Sequence, residues 1–257
     1  MQLHFETYGQ GPPLIILHGL FGSLGNWKPM SRKLGEHFHV FALDQRNHGR
    51  SPHSPEMSYA LMADDLAGFM WANRLHSAYV LGHSMGGKTA MQFALRFPAC
   101  VEKLVVVDIS PGAYPPLHRH ILDALSSLDL ASFRNHGQMD KALAPSIPES
   151  TLRQFLLKNV ARAPGGAFHW RINLPGICGN YDRLGAALPA GGAPFDKPAL
   201  FLRGGESDYL RDQDIVLVRQ LFPQAQLRAI PHAGHWVHVH APEPFLHAVL
   251  EFLRPPR

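Results

Sequence analysis

The sequence predicts an α/β protein, a mostly parallel sheet flanked by helices and interrupted once by a helical insertion. Three observations carry this. Short apolar runs alternate with amphipathic stretches toward both ends of the chain, as strands joined by helices do. Two runs, Leu14–Leu17 and Lys103–Asp108 (KLVVVD), are nearly continuous, as strands buried on both faces must be. The alternation stops after Pro111 and resumes only at Ala199; Pro145, Pro148, Pro164, Pro175 and Pro189 punctuate the stretch between.

Each element has its own signal. Leu3–Tyr8 alternates and reads as an edge strand. Leu14–Leu17, Val40–Leu43, Ala78–Leu81 and Lys103–Asp108 follow as buried strands. Tyr59–Leu75 carries Leu61, Met62, Leu66, Phe69 and Met70 at helical spacing. A second helix runs from Gly86 to Phe97 and stops at Pro98. Ile121–Leu130 and Leu152–Val160 read as helices of the insertion, where no buried strand is evident. Beyond it come a strand at Ala199–Leu202, a helix at Asp212–Phe222, a strand at Leu227–Ile230 and a helix at Pro242–Leu253. The expected organisation is one core made of 1–111 and 194–257, with residues 112–193 inserted as a helical cap.

Composition excludes several classes. Hydrophobic residues are 46% and charged residues 17%, too apolar for a disordered chain. The net charge is +4, but Lys and Arg are scattered and form no electrostatic footprint for nucleic acid. No apolar run approaches the ~20 residues of a membrane span, and the N-terminus lacks the marks of a signal peptide. A cytoplasmic protein is expected. Cys100 and Cys178 are 78 residues apart, which fits neither a disulfide framework nor zinc ligation, so both are expected to be buried and reduced.

Gly82-His83-Ser84-Met85-Gly86 fits G-x-S-x-G between a strand and a helix. A tight turn there lifts a serine hydroxyl above the sheet edge, and small residues on either side let it form. Ser84 is therefore the candidate nucleophile. His18-Gly19-Leu20-Phe21-Gly22 ends another strand. An acyl-transfer site needs two backbone N–H groups aimed at the oxyanion. Met85 supplies one and Leu20 the other, with Phe21 as the alternative. His18 is expected to tie the loop down. His235, in Ala233-Gly234-His235-Trp236 after the last strand, is the candidate base, with His238 and His240 structural or solvated. Two acids end strands on the same side, Asp108 and, in Gly204-Gly205-Glu206-Ser207-Asp208-Tyr209, Asp208. Either could hold the His235 tautomer.

These stretches together resemble the α/β-hydrolases, and within them the small YbfF-type bacterial esterases. The resemblance rests on HGLFGSLGNW (18–27), DQRNHGRS (44–51), GHSMGGKTAM (82–91), VVVDISP (105–111), RGGESDY (203–209) and AGHWVH (233–238). It implies an eight-stranded, mostly parallel sheet with a helical cap after the sixth strand. It implies hydrolysis of carboxylic esters, and of acyl thioesters, without metal or organic cofactor. Ser84 and His235 match the family nucleophile and base. The aspartate matching Asp108 is the proposed family acid, with the serine matching Ser207 nearby, so the resemblance favours Asp108 over Asp208. The loop matching 44–51 is structural in the family. Lys88 is expected in a structural ion pair.

Phe21, Trp236, Val237 and Tyr209 follow motif residues and are expected to line the pocket. Tyr114, Phe133, Phe155 and Trp170 are expected to line it from the cap. Dehalogenases and epoxide hydrolases of this fold use an aspartate nucleophile, whereas position 84 is serine. A pure binding module would be expected to have lost part of the Ser84, His235 and glycine set, which is complete here. The expected partner is a small-molecule ester or thioester.

Overall fold

The computed structural model describes residues 1–189 and 192–254. Residues 190 and 191 of the expected insertion, and 255–257 of the expected core, lie outside the described residues.

The chain begins with β1 (Phe5–Tyr8), β2 (Pro13–Leu17), α1 (Leu24–Leu34), β3 (His39–Leu43), α2 (Tyr59–Ala72), β4 (Ala78–His83), α3 (Met85–Arg96) and β5 (Val101–Val107). The intervening segment holds α4 (Arg119–Ser126), α5 (His136–Leu143), α6 (Ser150–Leu157), β6 (Val160–Arg162), β7 (Phe168–Trp170), α7 (Leu174–Gly179) and α8 (Tyr181–Gly185). The sheet resumes with β8 (Ala199–Gly204), α9 (Ile215–Leu221), β9 (Ala225–Ile230), α10 (Val237–His240) and α11 (Pro242–Leu253).

The main sheet has the order β1-β3-β2-β4-β5-β8-β9. Only β1 is antiparallel, pairing with β3 from Phe5↔Leu43 to Tyr8↔Val40. The sheet therefore has seven strands among the described residues, not the eight the resemblance implied. A single extended segment precedes β2, and it closes the edge by pairing with β3. The inserted segment leaves after β5, where the alternation breaks in the sequence.

Burial on both faces explains the continuous apolar runs. In β2, Ile15 and Leu17 join one core cluster while Leu14 and Ile16 join the other. In β5, Leu104 and Val106 face one side, and Val105 and Val107 the other. Successive side chains of a strand point to opposite faces, so both alternating sets must be apolar. Leu66 and Phe69 of α2 and Phe93 of α3 cover the first face. Trp27 and Met30 of α1 and Phe245 and Val249 of α11 cover the second. Helix α1 has no counterpart in the sequence reading. Its signals were Trp27, Met30 and Leu34 at helical spacing and the Ser23 cap, whose backbone N–H donates to Asn26 Oδ1 at 2.7 Å.

The insertion is not purely helical. Val160–Arg162 and Phe168–Trp170 form an antiparallel ribbon, with Val160 opposite Trp170. The predicted helix Leu152–Val160 ends at Leu157 instead. The turn Ala163-Pro164-Gly165-Gly166-Ala167 folds the ribbon back, and Gly166 takes a φ of +87° that favours glycine. Cys100 and Cys178 are both free, as expected, but half-buried rather than buried. Among the described residues, no helix is long and apolar enough to cross a membrane.

Candidate active site

Strands β2, β4, β5 and β8 run parallel, so their C-terminal ends open on one edge, where such sheets place ligands. Ser84 sits between β4 and α3 with φ 52° and ψ −119°. This left-handed backbone is costly for a residue with a side chain and must be held by its surroundings. Its N–H donates to Val107 O at 3.0 Å. A Cβ on Gly82 would lie 2.1 Å from Gly86 O, and one on Gly86 would lie 2.4 Å from Leu17 O. Both contacts are with backbone that cannot swing away. Gly82→Ala is expected to cost about 1–3 kcal/mol, lowering the melting temperature by roughly 2–12 °C; a thermal melt checks this.

The His235 ring spans the gap between Ser84 and the next strand. Its Nε2 is 3.0 Å from Ser84 Oγ. Its Nδ1 is 2.7 Å from Asp108 Oδ2. Asp108 is fully buried at the end of β5 and anchored on all sides. Its N–H donates to Leu202 O at 2.7 Å, its Oδ1 accepts from Gly204 N–H at 2.8 Å, and its Oδ2 also accepts from Ser207 Oγ–H. Asp208 is exposed and stands outside this chain of hydrogen bonds. The Tyr209 ring stacks on the imidazole at 3.9 Å. A carboxylate that accepts from Nδ1–H leaves Nε2 free to take a proton from the serine.

The oxyanion loop separates the two sequence candidates. Phe21 N–H donates to His48 Nε2 at 3.2 Å, so it is already engaged. Among the described residues, the N–H groups of Leu20 and Met85 have no acceptor. Leu20 and Met85 are thus the pair available to an incoming oxygen. His48 holds the loop through its own Nδ1–H, which donates to Arg46 O at 2.9 Å. His18 does the same from below, donating from Nδ1 to Gly19 O at 2.8 Å and accepting from Gln45 N–H at 3.0 Å. Asp44 accepts from Leu24 N–H and Arg50 N–H, at 2.8 and 2.9 Å. The 44–51 loop is a brace, as expected. Asn159 was missed: its Nδ2 donates to Phe21 O at 2.7 Å, linking the inserted segment to the oxyanion loop.

Two lobes of a cavity meet at Ser84. One is lined by Phe21, Trp27, Phe155, His235 and Trp236, among others. The other is lined by Met85, Lys88, Tyr114, Tyr181 and Tyr209, among others. Leu20 and His118 border both. Of the residues expected in the pocket, Phe21, Trp236, Phe155, Tyr114 and Tyr209 border these lobes, and three do not. Val237 is buried in the core beneath α11. Trp170 is held in the β6–β7 ribbon, and Phe133 packs against the core after a short turn. Among the described residues Lys88 makes no ion pair; it donates to the carbonyls of Gly112 and Ala186 at 2.6 and 2.7 Å.

The comparisons agree with this fold. The pattern of the alpha/beta hydrolase fold family matches residues 12–242. The chain belongs to the α/β-hydrolase family. This α/β-hydrolase is 42% identical over 250 residues to the sn-1-specific diacylglycerol lipase ABHD11 of Mus musculus, covering 94% of this chain and 81% of that protein. It is 35% identical over 246 residues to esterase YbfF of Escherichia coli (strain K12), covering 94% and 92%. Among solved structures it matches a marine microorganism esterase with a TM-score of 0.96 and 44% identity, covering 98% of this chain and all of that one.

Histidines give this α/β-hydrolase an acid limit. Burial pushes His18 and His118 down to about 4, and His48 and His238 down to about 3. His83, also buried, falls well below its usual value. Each is neutral when folded but titrates near 6.5 when unfolded. Between those values the unfolded chain binds more protons, so stability is full above about 6.5 and falls as pH drops. Each fully buried ring adds a slope of about 1.4 kcal/mol per pH unit. The melting temperature is expected to fall steeply from pH 6.5 to 4.5; a flat profile over that range would contradict it.

Proposed function

We propose that the protein is a serine esterase working through an acyl-enzyme, with Ser84 as nucleophile, His235 as base and Asp108 as the acid that holds the ring. The observation that supports this most is the His235 imidazole, hydrogen-bonded to Ser84 on one side and to Asp108 on the other. The names of its relatives, an esterase and a lipase, agree with it.

In the first step the Ser84 Oγ–H proton passes to His235 Nε2 while Oγ bonds to the ester carbonyl carbon. The carbonyl oxygen takes the negative charge and accepts from Leu20 N–H and Met85 N–H, the two donors with no other partner. The carbon–oxygen bond to the leaving alcohol then breaks, and the Nε2 proton goes to that alcohol. A water next gives a proton to Nε2, attacks the Ser84 ester, and releases the acid; the proton returns to Oγ. No step needs a metal or an organic cofactor. A thioester carbonyl meets the same groups, so acyl thioesters are a second substrate class.

Residues 112–193 act in this reading as a cap over the core of 1–111 and 194–257. Ile121, Leu152 and Phe155 from the insertion face Phe21 and Trp236 from the core across the first lobe. These side chains suit an apolar alkyl group of the substrate. The test is a fluorophosphonate probe combined with p-nitrophenyl esters and acyl-CoA thioesters of graded length. Labelling at Ser84 with ester turnover is expected. An unlabelled Ser84 in protein that turns over no ester overturns the reading.

A further inference from the structure

The two lobes have different chemistry. On the reading of Ser84 and His235 above, the leaving group takes its proton from the His235 ring and so occupies the lobe that ring lines. The acyl part then lies in the other lobe, between Met85, Ile109 and Leu184.

That lobe contains a cation with no counter-ion among the described residues. Lys88 is 1% exposed. Its ammonium has three protons, and the carbonyls of Gly112 and Ala186 take two. Among the described residues the third has no hydrogen-bond acceptor, and no carboxylate is paired with the charge. Burial alone pulls its pKa down, to about 8. The other polar groups of the lobe are neutral and mostly committed. Tyr59 Oη–H donates to Leu184 O at 2.8 Å, and Tyr114 Oη donates to Tyr209 O and accepts from Ser110 N–H. The Tyr114 and Tyr59 ring centres lie 4.9 and 5.6 Å from the ammonium. Holding two carbonyls needs only a neutral donor, whereas a buried ammonium carries a desolvation cost that an opposite charge offsets.

Lys88 stands close to the nucleophile of that reading. Lys88 N–H donates to Ser84 O at 3.0 Å, so Lys88 follows Ser84 by one helical turn. The Ser84 backbone is not helical, but its side chain and that of Lys88 line the same lobe. A short acyl chain that is bonded to Ser84 and ends in a carboxylate therefore has its reacting end and its charged end in one lobe. We propose that this lobe is an acyl subsite for half-esters of short dicarboxylic acids, whose free carboxylate pairs with the Lys88 ammonium.

The test compares monobenzyl glutarate with benzyl pentanoate, followed by release of benzyl alcohol. The two differ only in the terminal group. The expected kcat/KM of the wild type is at least about ten-fold higher for the glutarate half-ester. In Lys88→Met and Lys88→Gln the ratio of the two values is expected to fall by at least about ten-fold. A wild type that prefers benzyl pentanoate, or a ratio unchanged in both variants, overturns the proposal. Should neither variant fold, free glutarate is compared with pentanoate as a competitive inhibitor of the wild type. Stronger inhibition by glutarate supports the subsite, and equal or weaker inhibition overturns it. Turnover of benzyl pentanoate reports separately on the Ser84 mechanism. If neither ester is cleaved that mechanism fails, and calorimetric binding of glutarate against pentanoate still decides the subsite.

Discussion

Ser84→Ala is expected to lower kcat for p-nitrophenyl butyrate by on the order of 10⁴- to 10⁶-fold. The size follows from what the hydroxyl does. In the proposed mechanism it forms the covalent bond to the acyl group. The His235 ring that would serve a substitute nucleophile is fixed by Asp108 on one side and stacked on Tyr209 on the other. Fold should be retained, since Ser84 is held through its backbone N–H to Val107 O and its side chain anchors no other element. Residual activity would come from the oxyanion donors acting on a bound water. Turnover within ten-fold of wild type, in protein shown by mass spectrometry to carry alanine, would falsify the nucleophile assignment.

Asp108→Asn is expected to lower kcat by on the order of 10⁴-fold, while Asp208→Asn stays within about two-fold, as surface substitutions away from a site usually do. The asymmetry comes from hydrogen-bond polarity. Gly204 N–H points at Asp108 Oδ1, so the amide oxygen of an asparagine must take that side. Its NH₂ then faces two donors, His235 Nδ1–H and Ser207 Oγ–H. The ring is driven to the tautomer with its proton on Nε2, where it cannot accept from Ser84. Asp208 is exposed and touches none of these atoms. Circular dichroism on both variants separates lost catalysis from lost folding. A large loss in Asp208→Asn with Asp108→Asn unaffected would reverse the assignment.

The sequence was most readable where function is local. The elbow is legible because the strand, the serine and the helix are consecutive, and because Gly82 and Gly86 must lack a Cβ at those turns. The same holds for His235, placed by a short loop after β9. Strands of the sheet were readable because burial on both faces demands unbroken apolar runs. Legibility failed where a residue's neighbour lies far along the chain. Trp170 and Phe133 read as pocket residues because both are aromatic in the insertion. Only pairing of Val160 with Trp170 takes that ring into a ribbon. Lys88 read as an ion-pair member, yet its partners are two backbone carbonyls near the ends of the insertion.

The sequence by itself determined the class of the fold and singled out Ser84 and His235 as the candidate nucleophile and base. Those depend on contiguous residues whose backbone geometry and burial leave few alternatives. Three choices were left to the tertiary structure. The parallel register of β5 and β8, with Val107 opposite Leu202, carries Asp108 to Gly204 N–H and to a ring 127 residues away. His48 engages Phe21 N–H and so leaves Leu20 as the candidate oxyanion donor of that loop. The close of the insertion over α3 puts the Lys88 ammonium, which has no carboxylate partner among the described residues, in the lobe that Ser84 lines. Each is a contact between distant segments, and its energy depends on strand register and side-chain packing that no local spacing encodes.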